Sequence, residues 1–507
     1  MLFHPGHSIS RFGPLAILCN DFFRYILAKK MRERLQLIFK FLALVFVMGF
    51  LVFVWKALPI ISGYAAKVAC SGIFVSGRPQ AQVLKDDLAF FPVNLASCTV
   101  DMQDSSVTAS VLGLGSRKAM HRWRLGATLV NGMTAEALRE QHMIRPLGPS
   151  ADADTVDWPM GDRVHPFIAG GLGLSAGSVV PEGRTVSLRM SDSAGAWGGF
   201  DEAKLQAALG LAFGEGGVVA TGTRAVVVVW HGQLIAERYA PGFTSHTRLA
   251  GWSMTKGVMN ALTGILVGQG KLNTGVPAPV PEWVRDDRRL ITVADLLHMN
   301  SGLRWWEFYG GPSDVTNMLF KETDMSVYAS RSGLSHPPGL VFNYSSGSAN
   351  ILAGIMRRAI GDDYYYRFPY EQLFYRTGMY SAVLEPDAGG TFVGSSYCYA
   401  TARDWARFGM LYLNDGVWAG QRILPEGWVK WTTTGGSYGA LWWLNHEEAG
   451  RRRYPQLPKD CYMCEGYEGQ YIWVIPSKDL VIVRMAMEHG EVLAPDVFVP
   501  AVLKSLK

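Results

Sequence analysis

A chain of 507 residues exceeds one ordinary domain and at about 150 residues per domain predicts two or three. With 49% apolar and 18% charged residues it can bury a sizeable core, which excludes disorder as the default state. The net charge of +5 comes from 48 basic and 43 acidic residues spread along the chain, and the densest basic run of the second half is Arg451 to Arg453, so nothing reads as a nucleic-acid footprint.

The N-terminal part carries the first element. From Phe41 to Trp55 every residue is uncharged, and Leu35, Leu37, Ile38, Phe39, Leu58, Ile60 and Ile61 extend the apolar stretch, with Lys40 and Lys56 able to snorkel. Residues 35–61 are thereby expected to form a membrane anchor of the ~20 residues a helix needs to span a bilayer. Arg24, Lys29, Lys30, Arg32, Arg34 and Lys40 precede the stretch and only Lys56 and Lys67 follow it, so residues 1–34 are expected in the cytoplasm and the rest outside. The chain is thereby expected to pass once through a bacterial inner membrane, with the residues after the span in the periplasm. A cleaved signal peptide, cut near Ala65, Ala66 or Ala69, is the competing reading; the forty or so residues ahead of the apolar run favour an uncleaved anchor. Cys19 would lie inside, leaving five exported cysteines, for which Cys70–Cys98 and Cys461–Cys464 are plausible disulfides.

Residues 62–199 show many short segments, glycine-rich turns such as Gly170-Gly171-Leu172-Gly173, and no long helical period. They are read as an accessory region of short strands and loops. His121, His142 and His165 are too dispersed to form a metal site by spacing.

Residues 200–507 have a different texture. A helical period runs from Glu202 to Phe213, and two apolar, β-branched runs about His231-Gly232 predict a hairpin over Thr223 to Tyr239. A second strand pair is expected at Tyr471 to Ile475 and Leu480 to Met485. Between them Val258, Ala261, Leu262, Ile265 and Leu266 mark an amphipathic helix. Strands at both ends with helices between predict an α+β domain whose sheet is assembled from its termini.

That helix opens with Gly251-Trp252-Ser253-Met254-Thr255-Lys256, where a three-residue spacing puts Ser253 and Lys256 on one face. A serine hydroxyl needs a neighbouring base to become a nucleophile, and a lysine whose pKa is lowered by burial can serve. S-x-x-K alone is weak evidence, and Thr255 breaks the G-x-S-x-G pattern of the α/β-hydrolase elbow.

Further blocks accompany it: Leu296-Leu297-His298-Met299-Asn300-Ser301-Gly302-Leu303, Phe342-Asn343-Tyr344-Ser345-Ser346-Gly347, Ala402 to Gly409, Gly416 with Ile423-Leu424-Pro425, and Tyr438 to Trp443. On these motifs the chain from about Thr223 onward resembles the serine β-lactamase and penicillin-binding-protein superfamily, nearest its class C-like branch of esterases and 6-aminohexanoate-dimer hydrolases. The resemblance implies a β-lactamase/transpeptidase-like antiparallel sheet with a helical subdomain, and hydrolysis of a small-molecule ester or amide through an acyl-enzyme on Ser253 without metal or organic cofactor. It gives Tyr344 a share with Lys256 in proton transfer and places Ser346 in the cleft. The third motif of the family, K-T-G or H-x-G, falls at Gly466-Tyr467-Glu468-Gly469-Gln470, with Tyr467 where this branch carries a histidine. Backbone donors near Gly469 or Gln470, with the N–H of Ser253, are expected to form the oxyanion hole. Trp305, Trp306, Phe308 and Tyr309 form an aromatic loop that can cover an apolar acyl group. Two rival readings are an enzyme acting on D-alanyl peptides or β-lactams, whose carboxylate wants a cation that the third motif here lacks, and a catalytically silent ligand-binding envelope protein.

Overall fold

The computed structural model describes residues 13–149, 152–164, 185–187, 199–217, 222–490 and 493–507. His165 and the Gly170 to Gly173 run lie outside the described residues. The chain divides into two compact units, Met1–Ala57 and Leu58–Lys507.

The first unit is helical from Gly13. Its apolar side chains, among them Phe41, Phe46, Phe53 and Trp55, are exposed. The stretch is long and apolar enough to cross a membrane, with a mean hydropathy of 2.8.

In the second unit the same helix continues to Phe74, which corrects the reading of residues from Ser62 onward as only short strands and loops. Ala65, Ala66, Ala69 and Cys70 are fully buried. A helix covered on all sides carries no polar face, so no amphipathic period announces it. Its small residues let neighbours close in: a Cβ on Gly63 would lie 2.8 Å from the Phe320 carbonyl oxygen, and one on Gly72 2.8 Å from Val83. Lys67, buried on this helix, pairs with the buried Glu385 carboxylate and donates to Ser71 Oγ at 2.9 Å. Ser71 Oγ and the Ala127 N–H complete the shell of Glu385 at 3.0 and 2.6 Å.

A four-stranded antiparallel meander follows, Ala96–Asp101, Ser106–Val111, Leu114–Arg122 and Gly126–Leu129. Val107, Ala109, Ala119 and Ala127 join the main core, so the described part of 62–199 packs with the hydrolase-like region rather than apart from it.

The large sheet has seven strands in the order Trp443–Leu444, Tyr462–Gly466, Gln470–Ile475, Leu480–Ala486, Thr223–Trp230, Gln233–Tyr239, Thr185–Ser187. Both expected hairpins are present, and they meet through Leu480–Ala486 against Thr223–Trp230, with Val481 opposite Val229. At the first hairpin turn His231 and Gly232 both have positive φ, 50° and 71°, as a tight two-residue connection demands. The sheet is covered on both faces, which is why its central strand reads as the unbroken run Ala-Val-Val-Val-Val-Trp. Val226, Val228 and Trp230 face the helices Glu202–Ala212 and Pro495–Leu503; Val227 and Val229 face the core shared with Thr255–Gly268 and Ala402–Leu413.

Strand alternation also overturns one disulfide. Cys461 lies in the core on one face of the sheet and Cys464 in the core on the other, so their side chains point apart and both are free thiols. Cys70 and Cys98 are likewise free, with the Cys70 thiol directed at the Ser105 carbonyl at 3.9 Å.

The Lys67–Glu385 pair ties the helix to the domain. Lys67→Ala leaves a buried carboxylate without its cation and should cost about 3–5 kcal/mol; denaturant unfolding of the two proteins measures it, and an unchanged midpoint would show that the pair does not hold the helix.

Candidate active site

Ser253 lies in a single 3₁₀ turn, Trp252–Met254, that leads into the helix Thr255–Gly268. The turn is tight because Gly251 has no side chain: a Cβ there would meet the Trp405 ring at 2.3 Å. Trp252 then takes φ +46°, a conformation costly for a bulky residue. Rings hold it there. Tyr64 stacks on Trp252 at 6.0 Å, and Tyr467 and Tyr397 meet it edge-on at 5.5 and 6.2 Å. Tyr64 belongs to the buried helix, so that helix forms part of the support beneath the nucleophile.

The structure brings Ser253, Lys256, Tyr344 and Ser346 together. Lys256 Nζ donates to Ser253 Oγ at 2.9 Å, to Ser346 Oγ at 3.0 Å and to the Ser395 carbonyl at 3.2 Å. Tyr344 lies beside them, with Lys256 Nζ 4.9 Å from the centre of its ring. Burial lowers the pKa of Lys256 to about 8 against the opposing pull of Glu307. Burial, reinforced by the Glu307 charge, pushes the Tyr344 phenol upward, so it is protonated at neutral pH. The lysine is therefore the group of the pair poised to accept a proton near pH 8.

Two participants escaped the sequence reading. Ser395 contributes only its carbonyl, for which no side-chain signal exists. Glu307 sits inside the aromatic loop and gathers four donors: Ser346 Oγ at 2.5 Å, the Ser346 N–H at 2.9 Å, Trp305 Nε1 at 2.5 Å and the Tyr309 hydroxyl at 2.9 Å. A lone carboxylate between Trp306 and Phe308, a few residues beyond Ser301-Gly302, was the available clue. Through Ser346 it connects to Lys256 without touching it.

The third motif divides. Tyr467 lies at the site, stacked on Tyr309 at 5.0 Å and edge-on to Trp252. The Gln470 side-chain amide donates to the carbonyls of Tyr467, Glu468 and Ala486 and fastens the turn. Gly469, at φ +83°, faces Glu488 and Arg484. The strand Tyr462–Gly466 passes close to the segment before the serine, since a Cβ on Gly466 would lie 2.3 Å from the Gly251 carbonyl. Its outer neighbour pairs only with Tyr462 and Met463, leaving the edge beyond Cys464 open.

Tyr344 stacks on Trp443 at 5.5 Å and meets Tyr438 edge-on at 5.9 Å, while Phe342 packs at 5.2 Å on Tyr438. Trp306 and Phe308 stack on each other at 5.2 Å and are exposed. Among the described residues Asp154, Asp162 and His246 bring possible ligand atoms within 4.8 Å of one another, but Asp162 is already paired with Arg407 at 2.7 Å.

The sequence profile of the Beta-lactamase family matches residues 215–495, over half of the chain. The chain belongs to the β-lactamase family of hydrolases. The 6-aminohexanoate-dimer hydrolase of Paenarthrobacter ureafaciens is 24% identical to this β-lactamase-family chain over 295 residues, covering 52% of it and 73% of the relative. Among solved structures, a penicillin-binding-protein homologue from Caulobacter crescentus is 17% identical with a TM-score of 0.47, covering 60% of this chain and 97% of its own. A family VIII carboxylesterase is 14% identical with a TM-score of 0.47, again covering 60% and 97%.

Glu307 favours the charged form of Lys256, so Glu307→Gln lowers the lysine pKa further. The rise of kcat/KM with pH that reports loss of the Lys256 proton should then begin at lower pH than in the parent enzyme. Loss of a charged acceptor, worth about 1.5–3 kcal/mol, should also lower kcat by ~10-fold or more. A pH–rate profile unchanged in position would remove Glu307 from the proton network.

Proposed function

We propose that this protein hydrolyses an ester or amide of a small molecule through an acyl-enzyme on Ser253. The observation that carries the reading is the 2.9 Å approach of the desolvated Lys256 amine to Ser253 Oγ, with the Tyr344 ring beside the same amine at 4.9 Å. Neutral Lys256 takes the serine proton as Oγ attacks the carbonyl carbon. The negative charge on the former carbonyl oxygen is met by the Ser253 N–H and by N–H groups on the open edge of the strand ending at Gly466. When the tetrahedral intermediate collapses, the Tyr344 hydroxyl gives its proton to the departing alcohol or amine and is refilled from Lys256. Water then attacks the acyl carbon by the same route in reverse.

The acyl group is expected to be apolar, because Trp306, Phe308 and Phe342 expose rings beside catalytic segments. Substrates bearing a carboxylate, such as β-lactams and D-alanyl peptides, are less well served. Tyr467 brings no charge, and Arg453, which reaches Glu465 on the neighbouring strand, is paired with it. A silent binding protein has no use for so complete a proton network.

Lys256→Ala and Tyr344→Phe should each lower kcat for p-nitrophenyl butyrate by about 10² to 10⁴ with melting curves little changed. Ser253→Ala should abolish acylation by a fluorophosphonate probe, and adding Lys256→Ala should make turnover hardly worse. Full turnover by folded Ser253→Ala would place the chemistry elsewhere.

The reading extends to topology: the N-terminal helix serves as a single-pass anchor, with residues 35–61 as the span and the catalytic part outside the cytoplasm. The unequal basic flanks support it. A phosphatase reporter, active only when exported, fused after Lys507 should be active; activity of a cytoplasm-only reporter at that position would overturn the orientation.

A further inference from the structure

A cavity of about 340 Å³ opens where the buried helix ends, at Phe74 and Val75, between the third strand of the meander and the segment Tyr370 to Val383. This is within the size range of small-molecule sites. It shares no lining residue with the catalytic cluster. Two guanidinium groups, Arg124 and Arg248, and the imidazole of His121 line it, and among the described residues no aspartate or glutamate does. Five aromatic side chains, Phe74, Trp123, Tyr370, Tyr375 and Tyr380, stand in the rest of the wall.

We propose that this cavity is a second binding site, for a small carboxylate with an apolar or aromatic body.

The case rests first on unspent donors. Arg248 gives Nε to the Ser381 carbonyl at 2.8 Å and Nη1 to the Val75 carbonyl at 3.3 Å, both neutral acceptors. A guanidinium has five N–H donors, so three remain. Asp404, the acid whose charge acts on Arg248, is itself bonded to Arg407 and Ser381. Arg124 is in the same state, with Nη1 on the Pro146 carbonyl at 3.1 Å and its plane over the Trp123 ring at 4.2 Å. Neither arginine has a carboxylate partner among the described residues. Two half-buried cations around one void repel each other and are poorly hydrated, and an anion between them relieves both costs. A planar carboxylate suits the guanidinium fork. Burial disfavours the cationic form of His121, which stacks on Phe74 at 6.0 Å and adds a polar contact rather than a third charge.

The site also touches what supports the nucleophile. Arg248 directly precedes the strand Leu249–Ala250, after which come Gly251, Trp252 and Ser253, and its Nη1 holds the end of the helix that stacks Tyr64 on Trp252. A ligand here braces both segments.

The test titrates full-length protein in lipid nanodiscs with 4-phenylbutyrate and, separately, with its neutral amide. Saturable binding of the acid with a raised melting temperature is expected, and the amide should bind about 10-fold or more weakly. Arg248→Gln and Arg124→Gln should weaken the acid to a similar degree. Arg248 also fastens two backbone carbonyls, so should its variant fail to fold, the half-buried Arg124 decides the matter. Ser253→Ala should bind the acid as the parent does. No binding at millimolar acid, equal affinity for the amide, or undiminished binding in Arg124→Gln would overturn the proposal. Loss of binding in Ser253→Ala would also overturn it, by assigning the probe to the catalytic cleft.

Discussion

Lys256 becomes a base near neutral pH because the protein withholds water from its ammonium, and that exclusion is the condition on which this active site rests. Lys256 is 1% exposed. Two effects oppose each other there: desolvation drives the amine toward neutrality, and the carboxylate of Glu307 favours the cation. Desolvation prevails, leaving the pKa at about 8. The reason is geometric. Glu307 does not touch Nζ, because the Ser346 hydroxyl stands between them, accepting from the lysine and donating to the carboxylate. A direct ion pair would hold the proton on the lysine; one hydroxyl of separation orients the amine without fixing its charge.

The same dryness demands a wall, which explains the abundance of rings. Tyr344, Tyr438, Trp443 and Phe342 pack into one cluster of rings, and Tyr309, Tyr467 and Trp252 into another. Trp252 pays a conformational cost to present Ser253, and Tyr64 from the buried helix offsets it. Residues far outside the family-matched region, 215–495, thus reach the residue next to the nucleophile.

Where the chemistry leaves a fixed spacing, the sequence was readable. Ser253 and Lys256 are neighbours on one turn, so their contact follows from local geometry, and both hairpins announced themselves by β-branched runs and turn residues. Tyr344 came from the family motif, and the structure sets its ring beside Lys256. What escaped was non-local or without a side chain: the carbonyl of Ser395, and the passage of the strand ending at Gly466 beside Gly251. The helix beyond Ser62 was missed because burial on every side erases the periodicity that reveals surface helices. The Cys461–Cys464 pairing failed for a rule that was available, since positions three apart on a strand face opposite ways.

The central sheet has a consequence for how the chain is made. Thr223–Trp230 obtains its inner partner only from Leu480–Ala486, some 250 positions later, and Lys67 waits for Glu385, 318 positions on. During synthesis, roughly half the chain must therefore emerge with its most apolar strand half-paired and its N-terminal helix undocked. Closure is a late event, dominated by distant contacts, of the kind that folds slowly and leaves sticky edges open in the meantime. For this enzyme the C-terminal hairpin is thus the keystone, and a nascent chain stalled before it presents the cell with an aggregation hazard rather than a smaller hydrolase.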